Sequence, residues 1–136
     1  RAAITPERLA VNLMDSTSPD NDGFIPTDIP VCADGENAYF SSLPVKEMAA
    51  AIKEAGVNAA LSLSAGTFVC NSLMYRLLYL SATRYPGMRG GFIHVPYLTG
   101  QTVGKQPGTP GMEMCDIVKG LIAAISVVAE QISHGT

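Results

Sequence analysis

The chain has little charge and only two histidines, and each shortage argues against a class of function. Charged residues make up 15% of its 136 residues, where roughly a quarter is usual. The formal net charge of −3 leaves no basic surface for nucleic acid or for an anionic membrane. No apolar run reaches membrane-spanning length, and no charged-then-apolar leader precedes the first motif. The composition therefore predicts a soluble, unsecreted chain with neither nucleic acid nor membrane as partner.

Metal-site and disulfide patterns are also missing. The three cysteines, Cys32, Cys70 and Cys115, form no close pair and no C-x-x-C motif. The two histidines, His94 and His134, lie far apart in the sequence. Structural zinc and a disulfide framework are therefore not expected, and free thiols in a reducing compartment are.

Apolar residues are plentiful, at 47% of the chain, and the sequence opens on Arg1 a few residues before a structured-looking segment. Together these features predict a piece of a protein in which missing neighbours or partner subunits cover apolar surface.

The order of predicted elements indicates the fold class. Apolar runs bounded by turn residues predict strands, and apolar stripes predict helices, one of which has Ser42 as its N-cap and Pro44 in its first turn. The predicted elements are strand 8–14, helix 42–56, strand 57–64, helix 70–83, strand 92–95 and helix 112–133. This alternation predicts an α/β fold, with a mostly parallel twisted sheet covered by helices. Functional residues then belong where strands end and helices begin.

A long connection, residues 15–42, interrupts this order. It holds three prolines and many Asp and Asn residues, and no helical or strand period continues through it. Apolar residues such as Phe24, Ile25 and Phe40 punctuate it, so we expect an ordered, packed segment rather than disorder. It could close over a site or form a subunit interface.

Cys70 is the leading candidate for a reactive group. The segment SLSAGTFVCN, residues 62–71, ends a predicted strand, turns at Gly66 and enters a helix near Cys70. The positive end of a helix dipole and its unpaired N–H groups stabilise thiolate over thiol and can receive an oxyanion. The alternative is a small buried hydrophobe, which describes most free cysteines, and which we favour for Cys32 and Cys115.

A cysteine nucleophile needs a base and a group that orients it. His94 lies in an apolar strand near its end, where a satisfied core histidine is the ordinary alternative, while His134 lies close to the end of the sequence. Glu7 could orient an imidazole, and a solvated carboxylate is its ordinary alternative. A serine hydrolase using Ser64 is a further hypothesis, although Ser62-Leu-Ser64-Ala-Gly66 lacks the first glycine of a G-x-S-x-G elbow.

Three blocks of this sequence closely resemble the catalytic blocks of the pyrrolidone-carboxylate peptidase family, also called pyroglutamyl peptidase type I. They are ITPERLAVN at 4–12, SLSAGTFVCN at 62–71 and GFIHVPY at 91–97. Their order and spacing agree with that family, and the likeness covers nearly the whole chain. The resemblance implies a single peptidase domain over residues 1–136 that lacks its amino-terminal portion, built as a three-layer α/β/α sandwich.

The resemblance also implies an activity and a site. Cys70 would be the nucleophile, His94 the general base and then acid, and Glu7 the orienting carboxylate. Phe68 and Val69 would line the pocket for the pyrrolidone ring. The implied enzyme removes an amino-terminal pyroglutamyl residue from peptides through a thioester acyl-enzyme. It needs no metal or cofactor, and it is cytoplasmic and homotetrameric.

One difference from the family pattern leaves a second function open. Family members usually carry an arginine at the position of Thr17, near the oxyanion, whereas here the run is Thr17-Ser-Pro-Asp-Asn21. Losing one oxyanion donor costs on the order of a hundredfold in rate. The alternative is therefore a catalytically weakened homologue that binds pyroglutamyl peptides or serves as an assembly subunit.

Overall fold

The computed structural model describes residues 1–135, which contain three helices and six short strands. The helices are α1 (Val45–Glu54), α2 (Val69–Thr83) and α3 (Met114–His134). The strands are β1 (Thr5–Pro6), β2 (Leu9–Val11), β3 (Ala38–Phe40), β4 (Ile93–His94), β5 (Tyr97–Leu98) and β6 (Gly111–Met112). Among residues 1–135, no helix is long and apolar enough to cross a membrane.

The chain divides into two compact units. The first unit holds residues 1–6 and 44–61 and the chain from Ile93 onward, and therefore contains α1 and α3. The second unit holds residues 7–43 and 62–92, and therefore contains α2.

The first unit packs α1 against α3. A β-carbon on Gly120 of α3 would come within 2.6 Å of Ile4 Cδ1 and 3.2 Å of Ile52 Cγ2. Glycine at this position therefore lets the backbone of α3 approach its neighbours closely. The side chains buried in this unit are mainly aliphatic: Ile4, Val45, Met48, Ala49, Ile52, Val57, Ala59, Ile117 and Ala124.

Strand pairing in the first unit is mixed. β1 pairs with β4 in antiparallel fashion, with Thr5 opposite His94, while β5 and β6 pair in parallel. Ile4 also forms a parallel bridge with Ala59. These short ladders carry both directions, so the expected mostly parallel pairing holds for only part of the described chain.

The second unit is built around α2, which packs on β2, while β2 pairs with β3 in antiparallel fashion. The core cluster of this unit is Ala10, Val31, Ala65, Met74, Tyr75 and Leu78. Val31 and β3 both belong to the 15–42 connection, so the connection is packed in part. Phe24, Ile25 and Phe40, the apolar residues from which packing was expected, are exposed. The presence of β3 also corrects the expectation that no strand period occurs in the connection.

Several predicted boundaries change. Ser42 is not the N-cap of α1, which begins at Val45 after Pro44, because the Ser42 hydroxyl instead accepts a hydrogen bond from Gly90 N–H (N···O 2.8 Å). The predicted strand 57–64 reduces to single bridges at Ala59 and Ser62. The remaining predicted strands are present but shorter: 8–14 retains Leu9–Val11, and 92–95 retains Ile93–His94.

Candidate active site

Cys70 is the second residue of α2, as the sequence predicts. Phe68 precedes the helix in extended backbone, with φ −115° and ψ −152°, and its carbonyl accepts the first helical hydrogen bond from Ser72 N–H at 3.0 Å. A phenyl ring cannot accept hydrogen bonds from the first-turn N–H groups of the helix, as a Ser or Asp cap would. The thiol, which is half-buried, therefore lies at a helix start that no side-chain acceptor at the cap position neutralises.

Asn71 fixes this helix start in place, and the sequence reasoning missed it. Its side chain is fully buried. Asn71 Oδ1 accepts from Val11 N–H at 2.9 Å, and Nδ2 donates to the carbonyls of Val11 at 2.8 Å and Leu13 at 3.1 Å. These bonds tie the first turn of α2 to β2. The available signal was an amide directly after the cysteine, at a position where a helix start meets a strand.

Glu7 lies in the second unit and is fully buried. Its backbone N–H donates to Phe92 O at 2.9 Å, and it forms a parallel bridge with Ser62. The next residue, Arg8, donates its N–H to Ser62 O at 2.7 Å. Backbone hydrogen bonds therefore join the block of Glu7 to the block that leads to Cys70 and to the block of Phe92. The burial of Glu7 argues against the alternative considered above, a solvated terminal carboxylate.

His94 lies in the first unit, where it is the second residue of β4 and is half-buried. Its Cα partner across the ladder is Thr5 of β1. The histidine is thus placed at a strand end immediately before Val95 and Pro96, as the sequence predicts.

Phe68 and Val69, the predicted substrate-binding residues, line a cavity of about 140 Å³ in the second unit. The other lining side chains come from the segment that follows the first block, from the 15–42 connection and from α2. They are Met14, Asp20, Phe24, Pro26 and Ser72. A mainly apolar cavity with few polar groups is typical of a small-molecule or side-chain site.

The 15–42 connection is attached to the loop that leads to the nucleophile. Asp15 N–H donates to Thr67 O at 2.9 Å, and the Thr67 hydroxyl donates to Asp15 O at 2.7 Å. Further along, Asn12 Oδ1 accepts from Cys32 N–H at 2.9 Å. Thr17, where the related family usually has arginine, is exposed within this connection.

The remaining candidate reactive residues lie in positions that suit a reactive group less well than the position of Cys70 does. Ser64 is exposed, and its hydroxyl accepts from Gly66 N–H at 3.1 Å, as expected for a residue that supports the loop. Cys115 is exposed at the start of α3, and His134 is exposed at its end. Cys32 is half-buried against the core of the second unit. Within residues 1–135, His, Cys, Asp and Glu side chains form no group of three that could hold a metal ion.

Two tyrosines of α2 have perturbed acidity. Burial raises the pKa of Tyr75 to about 12, and its hydroxyl donates to the carbonyl of Glu36. The pKa of Tyr79 is raised mainly by the hydrogen bond from its hydroxyl to the Asp34 carboxylate, at 2.9 Å. Both bonds attach α2 to the 15–42 connection.

Comparison with known proteins shows the family to which this chain belongs. The model of the pyroglutamyl peptidase family matches residues 1–131. The chain belongs to the pyroglutamyl peptidase family, and its fold is α/β.

Two relatives and one solved structure give the degree of similarity. The chain is 52% identical over 130 residues to a pyrrolidone-carboxylate peptidase of Streptococcus pneumoniae, covering 96% of this chain and 60% of that protein. It is 54% identical over 130 residues to the Staphylococcus carnosus protein of the same name, covering 96% and 61%. The crystal structure of pyroglutamyl peptidase I from Bacillus amyloliquefaciens superposes with a TM-score of 0.89 at 42% identity, over 95% of this chain and 60% of that chain. The chain thus spans about three-fifths of the length of these relatives.

Proposed function

We propose that the protein containing this chain is a cysteine exopeptidase that hydrolyses the amino-terminal pyroglutamyl residue from peptides. The observation that carries the proposal is the placement of Cys70 in the first turn of α2, held there by Asn71, in a chain of the pyroglutamyl peptidase family. Relatives of about half identity are named pyrrolidone-carboxylate peptidases. This favours hydrolysis over the alternative of a homologue that only binds.

In the proposed mechanism Cys70, His94 and Glu7 act together. His94 takes the thiol proton, and Cys70 Sγ attacks the pyroglutamyl carbonyl carbon. The carbonyl oxygen becomes an oxyanion, which the backbone N–H groups at the start of α2 stabilise. As the C–N bond breaks, His94 gives its proton to the leaving amine, and a thioester remains. Water, deprotonated by His94, then attacks the thioester, which releases pyroglutamate and restores the thiol.

Glu7 has the role of a positioning carboxylate in this scheme. A carboxylate that binds one imidazole nitrogen selects the tautomer in which the other nitrogen can accept a proton. Full burial of Glu7 supports the role, because an ionic interaction is strengthened where water is excluded.

Substrate recognition is assigned to Phe68 and Val69, which precede the nucleophile directly. A neutral lactam ring needs an apolar wall and hydrogen-bonding partners rather than a charged side chain. The phenyl ring and the branched aliphatic side chain supply such a wall beside the first turn of α2.

The domain organisation, location and oligomeric state of the enzyme are proposed from the family resemblance. We propose one peptidase domain that includes residues 1–136, since one family model spans both compact units, and a cytoplasmic homotetramer. Exposed aliphatic side chains along α3 support assembly with further protein surface; they are Met114, Val118, Ile122, Ile125 and Ile132.

Release of a fluorescent amine from a pyroglutamyl conjugate tests the proposal. The full-length protein is assayed at neutral pH under reducing conditions, together with Cys70→Ala and the matched Cys115→Ala, which alters the second residue of α3. We expect Cys70→Ala to reduce kcat by at least about 10³-fold and Cys115→Ala to leave it unchanged. Absence of turnover by the unaltered protein, or equal activity of the two variants, would overturn the proposal.

A further inference from the structure

The cavity assigned to the lactam ring has walls from two segments that are distant in sequence. One wall is formed by Phe68 and Val69 at the start of α2, and the opposite wall includes Phe24 and Pro26 of the 15–42 connection. No covalent link of a few residues joins these walls. The width of the cavity therefore depends on the contacts that hold the connection against the start of α2.

The cavity is small enough for its width to matter. Its volume is about 140 Å³, and a cavity of roughly 150 Å³ holds one benzene molecule. The lactam ring with its carbonyl oxygen has as many non-hydrogen atoms as benzene. A gap of about 0.5–1 Å between atoms in contact forfeits a quarter to a half of their dispersion attraction. A small movement of either wall therefore weakens the binding of the ring.

A reciprocal pair of hydrogen bonds between Asp15 and Thr67 holds the two walls together. Asp15 N–H donates to Thr67 O at 2.9 Å, and the Thr67 hydroxyl donates to Asp15 O at 2.7 Å. Because both bonds join the same two residues, they fix the orientation of one segment on the other as well as the distance between them. A single bond would leave the segments free to pivot about it.

This pair of bonds lies directly beside both walls. Thr67 immediately precedes Phe68, whose carbonyl accepts the first hydrogen bond of α2. Asp15 immediately precedes Ser16, whose N–H donates to the carbonyl of Pro26 at 3.0 Å. Movement at the hydrogen-bonded pair is therefore passed to Phe68 on one side and to Pro26 on the other.

The Thr67 hydroxyl contributes little to the fold as a whole. Asp15 is exposed and Thr67 is half-buried, so water can replace the hydroxyl as the donor to Asp15 O. The start of α2 is held independently by Asn71, through three hydrogen bonds to backbone groups. Loss of the hydroxyl is therefore expected to leave Cys70 in place and to loosen the cavity alone.

We propose that Thr67 is a positioning residue for recognition of the pyroglutamyl ring: its hydroxyl sets the width of the cavity by fixing the 15–42 connection against the start of α2. The proposal rests on the proposed peptidase activity, and it concerns a residue that does not itself line the cavity. It predicts a change in the affinity for the ring without a change in the chemical steps at Cys70.

Hydrolysis of a fluorescent pyroglutamyl conjugate by the full-length protein tests the proposal, together with inhibition by pyrrolidinone, the lactam ring without a scissile bond. Thr67→Val keeps the shape of threonine but lacks the hydroxyl. We expect it to raise KM and the inhibition constant about fivefold, on the scale of one hydrogen bond, and to leave kcat within about twofold. Thr67→Ser keeps the hydroxyl and is expected to retain the values of the unaltered protein.

Thr83→Val is the matched control, because the Thr83 hydroxyl also donates to a backbone carbonyl, that of Tyr79, at 2.7 Å. This bond lies within α2 at the opposite end from the cavity, so neither KM nor the inhibition constant should change. Thr67→Ala removes the hydroxyl in a second way and should resemble Thr67→Val. Urea unfolding shows whether each variant is folded.

Unchanged KM and inhibition constant in both Thr67→Val and Thr67→Ala overturn the inference and leave the peptidase proposal standing. A lower kcat with an unchanged inhibition constant also overturns it, because the hydroxyl would then act on the nucleophile. A Thr67→Ser variant as weak as Thr67→Val shows that the hydroxyl is not responsible, and loss of folding in Thr67→Val and Thr67→Ala shows that its role is structural; both overturn the inference. No hydrolysis by the unaltered protein overturns the peptidase proposal and the inference with it.

Discussion

Two helices of this chain begin with nearly the same local sequence, yet their surroundings differ. Helix α2 begins Val69-Cys70-Asn71 and α3 begins Met114-Cys115-Asp116, so each has a cysteine as its second residue. Cys70 is half-buried, whereas Cys115 is exposed. A cysteine at a helix start is therefore not sufficient to define a reactive site.

The third residue of each helix carries the main structural difference. Asn71 is fully buried and forms three hydrogen bonds to the backbone of Val11 and Leu13. Asp116 is exposed, and its N–H donates to Glu113 O at 3.1 Å, a bond within its own turn. The start of α2 is thus bonded to a strand, while the hydrogen bond of Asp116 N–H stays within the start of α3 itself.

The two helix starts also differ in charge. Glu113 and Asp116 place two carboxylates beside Cys115, and these oppose the formation of a further negative charge there. The first turn of α2 contains no acidic residue. The field of the helix end is therefore available to an anion at Cys70 and is partly cancelled at Cys115.

The largest expected effect concerns Asn71 and Asp116, the third residues of α2 and α3. Asn71→Ala removes the partners of one N–H and two carbonyl groups, and we expect it to lower the free energy of unfolding by about 3 kcal/mol. Asp116→Ala loses only a favourable charge at a helix N-terminus and is expected to cost about 0.5 kcal/mol. Urea unfolding of the full-length protein measures both values. Equal losses would show that the difference between the two helix starts is not energetic.

A smaller effect is expected on thiol reactivity. We expect iodoacetamide to alkylate Cys70 faster than Cys115, although Cys115 is the more exposed of the two, because alkylation requires the thiolate. Replacing both carboxylates in the double variant Glu113→Gln/Asp116→Asn should raise the rate at Cys115 about threefold. Peptide mapping by mass spectrometry gives both rates from one sample, and Cys70 is the internal control. An unchanged rate at Cys115 would contradict the electrostatic explanation.

A dependence of stability on alkaline pH is also expected from α2, which contains Tyr75 and Tyr79, whereas α3 contains no tyrosine. The folded-state pKa of Tyr75 is raised from 10.0 to about 12, so the folded state holds this proton more tightly than the unfolded state does. The resulting stabilisation is complete below pH 10 and is lost as pH rises towards 12. Tyr79 contributes with the same sign. Unfolding in urea at several pH values should show this decline, and a slope that Tyr75→Phe does not make shallower would refute it.

Local sequence patterns predicted the helices well. Helix 70–83 was predicted and α2 is Val69–Thr83, because an apolar stripe after Gly66 reports helical periodicity directly. The strands were predicted less well, since segment 57–64 keeps only isolated bridges. Pairing depends on partners that are distant in sequence, which a local pattern does not report. The apolar residues of α3 also do not by themselves show which face is buried: Ile117, Gly120 and Ala124 are buried, while Ile122 and Ile125 are exposed.

The candidate site shows the same difference between what a local sequence pattern predicts and what tertiary packing decides. The sequence alone determined the family and the order of the three blocks, and it predicted Glu7, Cys70 and His94 as site residues, because these depend on residue types at defined spacings. Only the tertiary structure decided that Asn71 anchors the helix start and that Phe24 lines a cavity with Phe68. The physical reason is that hydrogen-bond partners such as Val11 and Asn71 are brought together by the packing of α2 on β2. Two nearly identical local patterns therefore acquire different properties from the surfaces against which they fold.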